Sequence, residues 1–175
     1  MSEQNASLGR IADPFRFATE ARTLSGEVEV AKLSRLKDSL ASLEGVLSWR
    51  LDGWVDPVLS GQGEFRLKLV IRGRLNLRCE RCLSGLEWPL AVETVLQPVR
   101  AGQPIPDEEL ENDDVDAIEV EDGLDVMALL EEEILLALPL APRHEKCESP
   151  RGRNGAGEES PFAALASLRG SNRAD

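Results

Sequence analysis

Three features of the sequence predict an α+β fold. Apolar and polar residues alternate through most of residues 46–96, leucines fall at helical spacing on either side of that region, and a Pro-containing acidic stretch precedes the second helical pattern. The expected sheet is antiparallel and partly barrel-like over about residues 26–98, with flanking helices and an acidic loop. The expected organisation is an N-terminal arm (1–24), a single α+β domain (25–148, acidic loop 101–123), and a linker with a short C-terminal helix (149–175).

Each element has its own signal. The first dozen residues are polar, and Pro14-Phe-Arg-Phe-Ala18 makes a short apolar anchor. Gly26 to Val30 alternates like a brief strand with Val28 and Val30 inward. From Ala31 to Leu43, the leucines at 33, 36, 40 and 43 share one face of a predicted helix that Gly45 stops. Leu47, Trp49, Leu51 and Val55 then alternate with Ser48, Arg50, Asp52 and Trp54, and residues 57–63 are turn-rich.

The stretch Glu64 to Cys79 places Leu67, Leu69, Ile71, Leu75, Leu77 and Cys79 on one face and Arg66, Lys68, Arg72, Arg74, Asn76 and Arg78 on the other. Gly73 lies in its middle without a slip of phase, which fits either a bent continuous strand or a three-residue loop at Arg72 to Arg74. Leu86, Trp88, Leu90, Val92, Thr94 and Leu96 mark a further strand, where Pro89 implies an edge position or a bulge.

Residues 101–123 hold too little apolar content to pack alone, apart from an extended piece at Ala117 to Val120. Asp122 or Asp125 is placed to cap a helix through Met127, Leu130, Ile134 and Leu138, with Glu131 to Glu133 mid-helix and mostly solvated. Pro139 and Pro142 end that helix. A polar linker follows Cys147, and Pro161 to Arg169 is a candidate short helix. No internal repeat is present.

Composition narrows the function. With 42% hydrophobic residues among 175, the chain can bury a core. Its longest apolar run, Ile134 to Ala141, falls far short of the ~20 residues that span a bilayer. The opening Met1-Ser-Glu-Gln-Asn5 lacks a basic region followed by an apolar one, so a cytoplasmic location is expected, with no membrane partner. The net charge of −12 disfavours phosphate binding in bulk, but its distribution matters. Residues 107–133 carry 14 acidic groups and no basic ones, which leaves 32 − 14 = 18 acidic against 20 basic elsewhere.

Three constellations could carry chemistry. Cys79-Glu-Arg-Cys82 and His144-Glu-Lys-Cys147 use all three cysteines and the one histidine, and each pair has two intervening residues. Three sulfurs and an imidazole suit one tetrahedral structural Zn²⁺; the alternative is reduced, partly buried thiols with a surface histidine. The basic series Arg66, Lys68, Arg72, Arg74, Arg78 and Arg81 could track a phosphate backbone or be an ordinary solvated sheet face. The acidic block could hold a basic partner protein, weakly bind a divalent cation, or simply solubilise the chain. Signatures of catalysis are missing: one histidine sits among charged residues, and Gly61-Gln-Gly63 lacks the rest of a phosphate-cradling loop. The chain reads as a binding protein without a small-molecule substrate.

Several segments resemble the YceD family in order along nearly the whole chain. Leu77-Arg-Cys-Glu-Arg-Cys-Leu83 is similar to its cysteine signature. Gln97-Pro-Val-Arg100, then an acidic loop and Ile118-Glu-Val120, resembles its central region. Leu124 to Pro139 with Pro142-Arg-His-Glu-Lys-Cys147 resembles its most distinctive block, and Ser160 to Arg169 its closing motif. Asp13 to Ala18 and the strand at Gly26 fit more loosely.

The resemblance implies a cytoplasmic, non-enzymatic factor for synthesis, processing or stability of 23S ribosomal RNA, acting on precursor RNA of the large subunit. It strengthens the RNA reading of the basic series and sets both cysteine-containing pairs in motif positions. An acidic adaptor for a basic ribosomal protein, and a zinc- or thiol-dependent binding module, are the alternatives.

Overall fold

The computed structural model describes residues 9–57, 63–102 and 115–147. In chain order these form β1 (Arg10–Ile11), α1 (Pro14–Thr19), β2 (Thr23–Glu29), two 3₁₀ turns (Val30–Lys32 and Ser34–Ser39), β3 (Leu40–Ser42), β4 (Val46–Asp56), β5 (Glu64–Arg78), β6 (Gly85–Arg100), β7 (Asp116–Val120), β8 (Leu124–Asp125) and α2 (Val126–Ala137). The main sheet runs β2-β4-β5-β6-β7, with β3 added beside β5; β1 pairs separately with β8. The acidic stretch lies partly, and the expected linker and C-terminal helix wholly, outside the described residues.

Alternation determines which face is dry. Leu47, Trp49 and Leu51 of β4, Leu67, Leu69, Ile71, Leu75 and Leu77 of β5, and Leu90, Val92 and Leu96 of β6 are all buried in one core. β5 runs unbroken through Gly73, pairing with β6 from Leu67↔Leu96 to Arg78↔Gly85 in one register. This is the bent continuous strand, and glycine permits it: a Cβ at Gly73 would stand 2.4 Å from Leu47 Cδ2. Pro89 lies in the part of β6 that β7 does not reach, where its missing N–H takes no partner from the sheet.

Two sheet expectations are corrected. The sheet is open: β2 and β7 are its outer strands, and α1, the 3₁₀ turns and α2 supply core residues in place of closure. It is also mixed, because β7 joins β6 in parallel from Leu96↔Asp116 to Arg100↔Val120.

The predicted helix over residues 31–43 is corrected too. Leu33 and Leu36 are buried from the 3₁₀ turns, where a step of three residues repeats the same face. Leu33 itself leaves helical geometry at φ −83°, ψ 84°. Leu40 has already entered β3 opposite Leu77, and Leu43 is exposed. α1 packs onto the sheet: Asp13 caps it by accepting from Arg16 N at 2.9 Å, and Phe17 and Ala18 are buried.

α2 is capped by Asp125, whose carboxylate accepts from Ala128 N at 3.0 Å. Its apolar stripe, Val126, Leu130 and Ile134 with Leu129, enters the core. The expectation that Glu131 to Glu133 face solvent fails for two of them. Glu131 and Glu133 are only 6% and 8% exposed, while Glu132 is exposed. Glu131 Oε1 accepts from Arg35 N at 2.9 Å and from Ser34 Oγ at 3.4 Å, tying α2 to the second 3₁₀ turn.

Candidate metal centre and basic surface

The β5–β6 hairpin closes on a six-residue turn, Cys79 to Ser84. Cys79 N donates to Ser84 O and Leu83 N donates to Cys79 O, both at 2.9 Å, and Leu83 adopts φ 63°. That turn folds the backbone around the Cys79 and Cys82 sulfurs. The second pair arrives from α2: beyond Pro139 the chain crosses the hairpin tip, where Glu80 N donates to Pro142 O at 2.8 Å. Arg81 Nη1 donates to Cys147 O at 3.4 Å, on the far side of the second pair.

One candidate ligand atom from each of Cys79, Cys82, His144 and Cys147 lies within 4.8 Å of every other. The Cys79 and Cys147 sulfurs are 3.8 Å apart, and Cys82 Sγ is 3.4 Å from His144 Nδ1. These separations can be tested against an ion. Bonds of about 2.3 Å to sulfur and about 2.0–2.1 Å to nitrogen around a tetrahedral zinc give edges of roughly 3.8 Å for S···S and 3.5 Å for S···N. Both match. His144 Nε2 lies 3.1 Å from Gly85 O, so it donates its proton there and Nδ1 keeps a lone pair for a metal. The four residues therefore fit a closed tetrahedral metal site.

The electrostatics favour the thiolate at Cys79 and Cys82 but not at Cys147. Burial alone would push the Cys79 thiol up, but the backbone N–H groups of Cys82, His144 and Arg81 point at its sulfur and bring its pKa down to about 5. The Ser84 hydroxyl and N–H lower Cys82 as well. The Cys79 and Cys82 sulfurs raise His144. Burial, then the neighbouring sulfurs, raises Cys147.

The six-residue basic series divides. Arg66 is not on a solvent face: it is 7% exposed, held by Glu64, Asp56 and Gln97. Trp54 stands directly across from it on β4. Lys68 and Arg72 share Glu93 at 2.6 and 3.4 Å, and Arg74 pairs with Glu87 at 2.8 Å. Among the described residues, Arg78 and Arg81 have no acidic partner within 4.0 Å, and both are exposed beside the cysteines.

Arg143 and Lys146, which flank His144, are exposed too, and sequence reading missed them. Their signal was present: a metal ligand pair brings its neighbours to the ion, so charges adjacent to both pairs converge. Arg78, Arg81, Arg143 and Lys146 thus surround the four ligands, opposed locally by Glu80 and Glu145. None of the described helices is long and apolar enough to cross a membrane.

A family model described as large ribosomal RNA subunit accumulation protein YceD matches residues 67–169, more than half of the 175. A curated relative from Haemophilus influenzae, named large ribosomal RNA subunit accumulation protein YceD, is 26% identical over 176 residues, covering 95% of this chain and 98% of the relative. No solved structure matches the chain.

Proposed function

The chain belongs to the YceD family, and from that premise we propose that it is a cytoplasmic, non-enzymatic factor that supports accumulation of 23S ribosomal RNA by binding its precursor. The observation that carries the RNA contact is the convergence of four exposed cations on the Cys₃His knuckle. Phosphate binding draws on cations that are not already neutralised, and among the described residues Arg78, Arg81, Arg143 and Lys146 meet that condition beside the knuckle. Arg72 and Arg74 extend the surface along β5, where phosphates would compete with Glu93 and Glu87. Lys68 is further compromised by its 2.6 Å pair with Glu93, and buried Arg66 contributes to the sheet rather than to RNA.

In this reading Cys79, Cys82, His144 and Cys147 hold one zinc ion. With four protein ligands it would be structural, fastening the chain after α2 to the β5–β6 hairpin and fixing the cations in place. The family relative's name supplies the RNA; the basic knuckle supplies a surface that could contact it.

The test is binding of labelled 23S precursor fragments across a salt series. Charge reversal at Arg78, Arg81, Arg143 and Lys146 should weaken binding and flatten the salt dependence by about 0.7–0.9 per lost phosphate contact. Unchanged affinity and slope in the folded quadruple variant would refute the RNA surface.

A further inference from the structure

We propose that the cleft between β7 and α2 is a docking site for an extended, lysine- or arginine-bearing segment of a partner protein. This goes beyond the RNA reading and uses a different surface. β7 pairs with the last five residues of β6, whereas the knuckle precedes the first.

Among the described residues, β7 is an outer strand of the sheet and pairs with β6 alone. Beside it, across from α2, is a cleft of about 540 Å³ lined by Asp116, Ile118, Leu129, Glu132, Glu133 and Leu136. Among the described residues, none that lines it is basic. Leu136 is 74% exposed there and gives the cleft an apolar rim.

Glu133 is the independent sign of a ligand. It is 8% exposed and lines the cleft, yet it makes no hydrogen bond or ion pair with any described residue. Burial pushes its carboxyl above the ordinary glutamate range, and the charges of Asp116 and Glu132 push the same way. A partly desolvated carboxylate beside like charges is held at a cost; Glu132 already pairs with Arg35 at 3.3 Å, so a cation entering the cleft would chiefly relieve Glu133 and Asp116.

The surroundings select the kind of cation. Ile118, Leu129 and Leu136 offer apolar wall to the methylene stem of lysine or arginine, and to an apolar neighbour in the same segment. A bare divalent ion would leave that wall uncovered. An extended segment can also bond along the outer edge of β7, as peptides do when they add to an open sheet. Nucleic acid is disfavoured, because Asp116, Glu119, Glu132 and Glu133 would repel its phosphates.

The experiment titrates full-length protein into a short labelled peptide of alternating Lys and Val, with a Glu–Val peptide as control, and follows anisotropy at low salt. The Lys–Val peptide should bind saturably and the Glu–Val peptide should not. Glu133→Gln, which keeps the shape, and Leu136→Asp, at an exposed position, should each weaken binding by about tenfold or more. Absence of saturable binding to wild type, or unchanged affinity in both variants, would overturn the proposal.

Two other occupants would overturn it as well. Tighter peptide binding by Arg151→Ser/Arg153→Ser would assign the cleft to the chain's own C-terminal segment. Loss of self-association in sedimentation on Glu133→Gln would assign it to a second copy. The RNA reading fails separately: reversal of Arg78 and Arg81 should leave peptide binding intact, and Glu133→Gln should leave RNA binding intact.

Discussion

Glu131 is the carboxylate whose removal should be felt most in stability. Its side chain is 6% exposed on α2 and accepts from Arg35 N at 2.9 Å, with Ser34 Oγ at 3.4 Å. A hydrogen bond to a charged group contributes roughly 1.5–3 kcal/mol, and a contact near 3.4 Å adds little. Glu131→Ala removes the acceptor and leaves the Arg35 N–H without it, so unfolding should become easier by about 2 kcal/mol. Glu131→Gln keeps an oxygen in place and should cost less than about 1 kcal/mol. Urea unfolding followed by tryptophan fluorescence measures both, since Trp49 is buried in the same core. With a urea slope of about 2 kcal/mol per molar, the alanine variant's midpoint should fall by about 1 M. Glutamine proving as damaging as alanine would refute the hydrogen-bond account and make the charge itself the cause. A shift within error for alanine would mean that α2 and the 3₁₀ turn do not depend on this contact.

Elemental analysis of protein purified without chelators should find about one zinc per chain, and Cys79→Ser/Cys82→Ser should lose both the metal and part of the thermal stability. Gly73→Ala should destabilise by about 1–3 kcal/mol in the same urea assay, because its Cβ would overlap Leu47 Cδ2 in a filled core. Glu133 has a folded-state pKa raised above its unfolded value, so the native state holds that proton more tightly. Its contribution is therefore present below the ordinary glutamate range and lost as pH rises through the folded pKa. Glu133→Gln should flatten that decline and be the more stable protein at neutral pH, as pH-dependent urea midpoints would reveal.

The strands were legible because their signal is local. Alternation from Leu47 to Leu51 and from Leu67 to Leu77 depends only on which face is dry, and a phase that holds through Gly73 leaves few geometries. The helix predicted at residues 31–43 misled because a step of three, as from Leu33 to Leu36, serves 3₁₀ geometry as well as α. What decided was Leu40 pairing with Leu77, a partner far along the chain. The parallel arrival of β7 and the burial of Arg66 were hidden for the same reason. Gln97, Asp56 and Glu64 enclose Arg66 only once three strands have assembled. The Cys₃His cluster was legible despite the 61 residues between its pairs, since ligand chemistry restricts residue type more tightly than chain spacing does.

α2 connects the two surfaces and makes their properties interdependent. Its first turn is held by the Asp125 cap and the β1–β8 pair, its middle by Glu131, and its far end by the crossing at Pro142 and the ligands beyond. Leu136, which forms part of the cleft wall, lies in the last turn, on the stretch fastened by the knuckle. Glu133 lies one turn earlier, nearer the Glu131 anchor. A metal bound by the four ligands would therefore restrain the apolar wall more than the buried carboxylate. Stripping it should weaken Lys–Val peptide binding by less than Glu133→Gln does, because the charge that recruits the peptide stays in place when the wall loosens. If metal removal proved the more damaging, the cleft would depend on the knuckle for its shape, and Glu133 would be a bystander to binding.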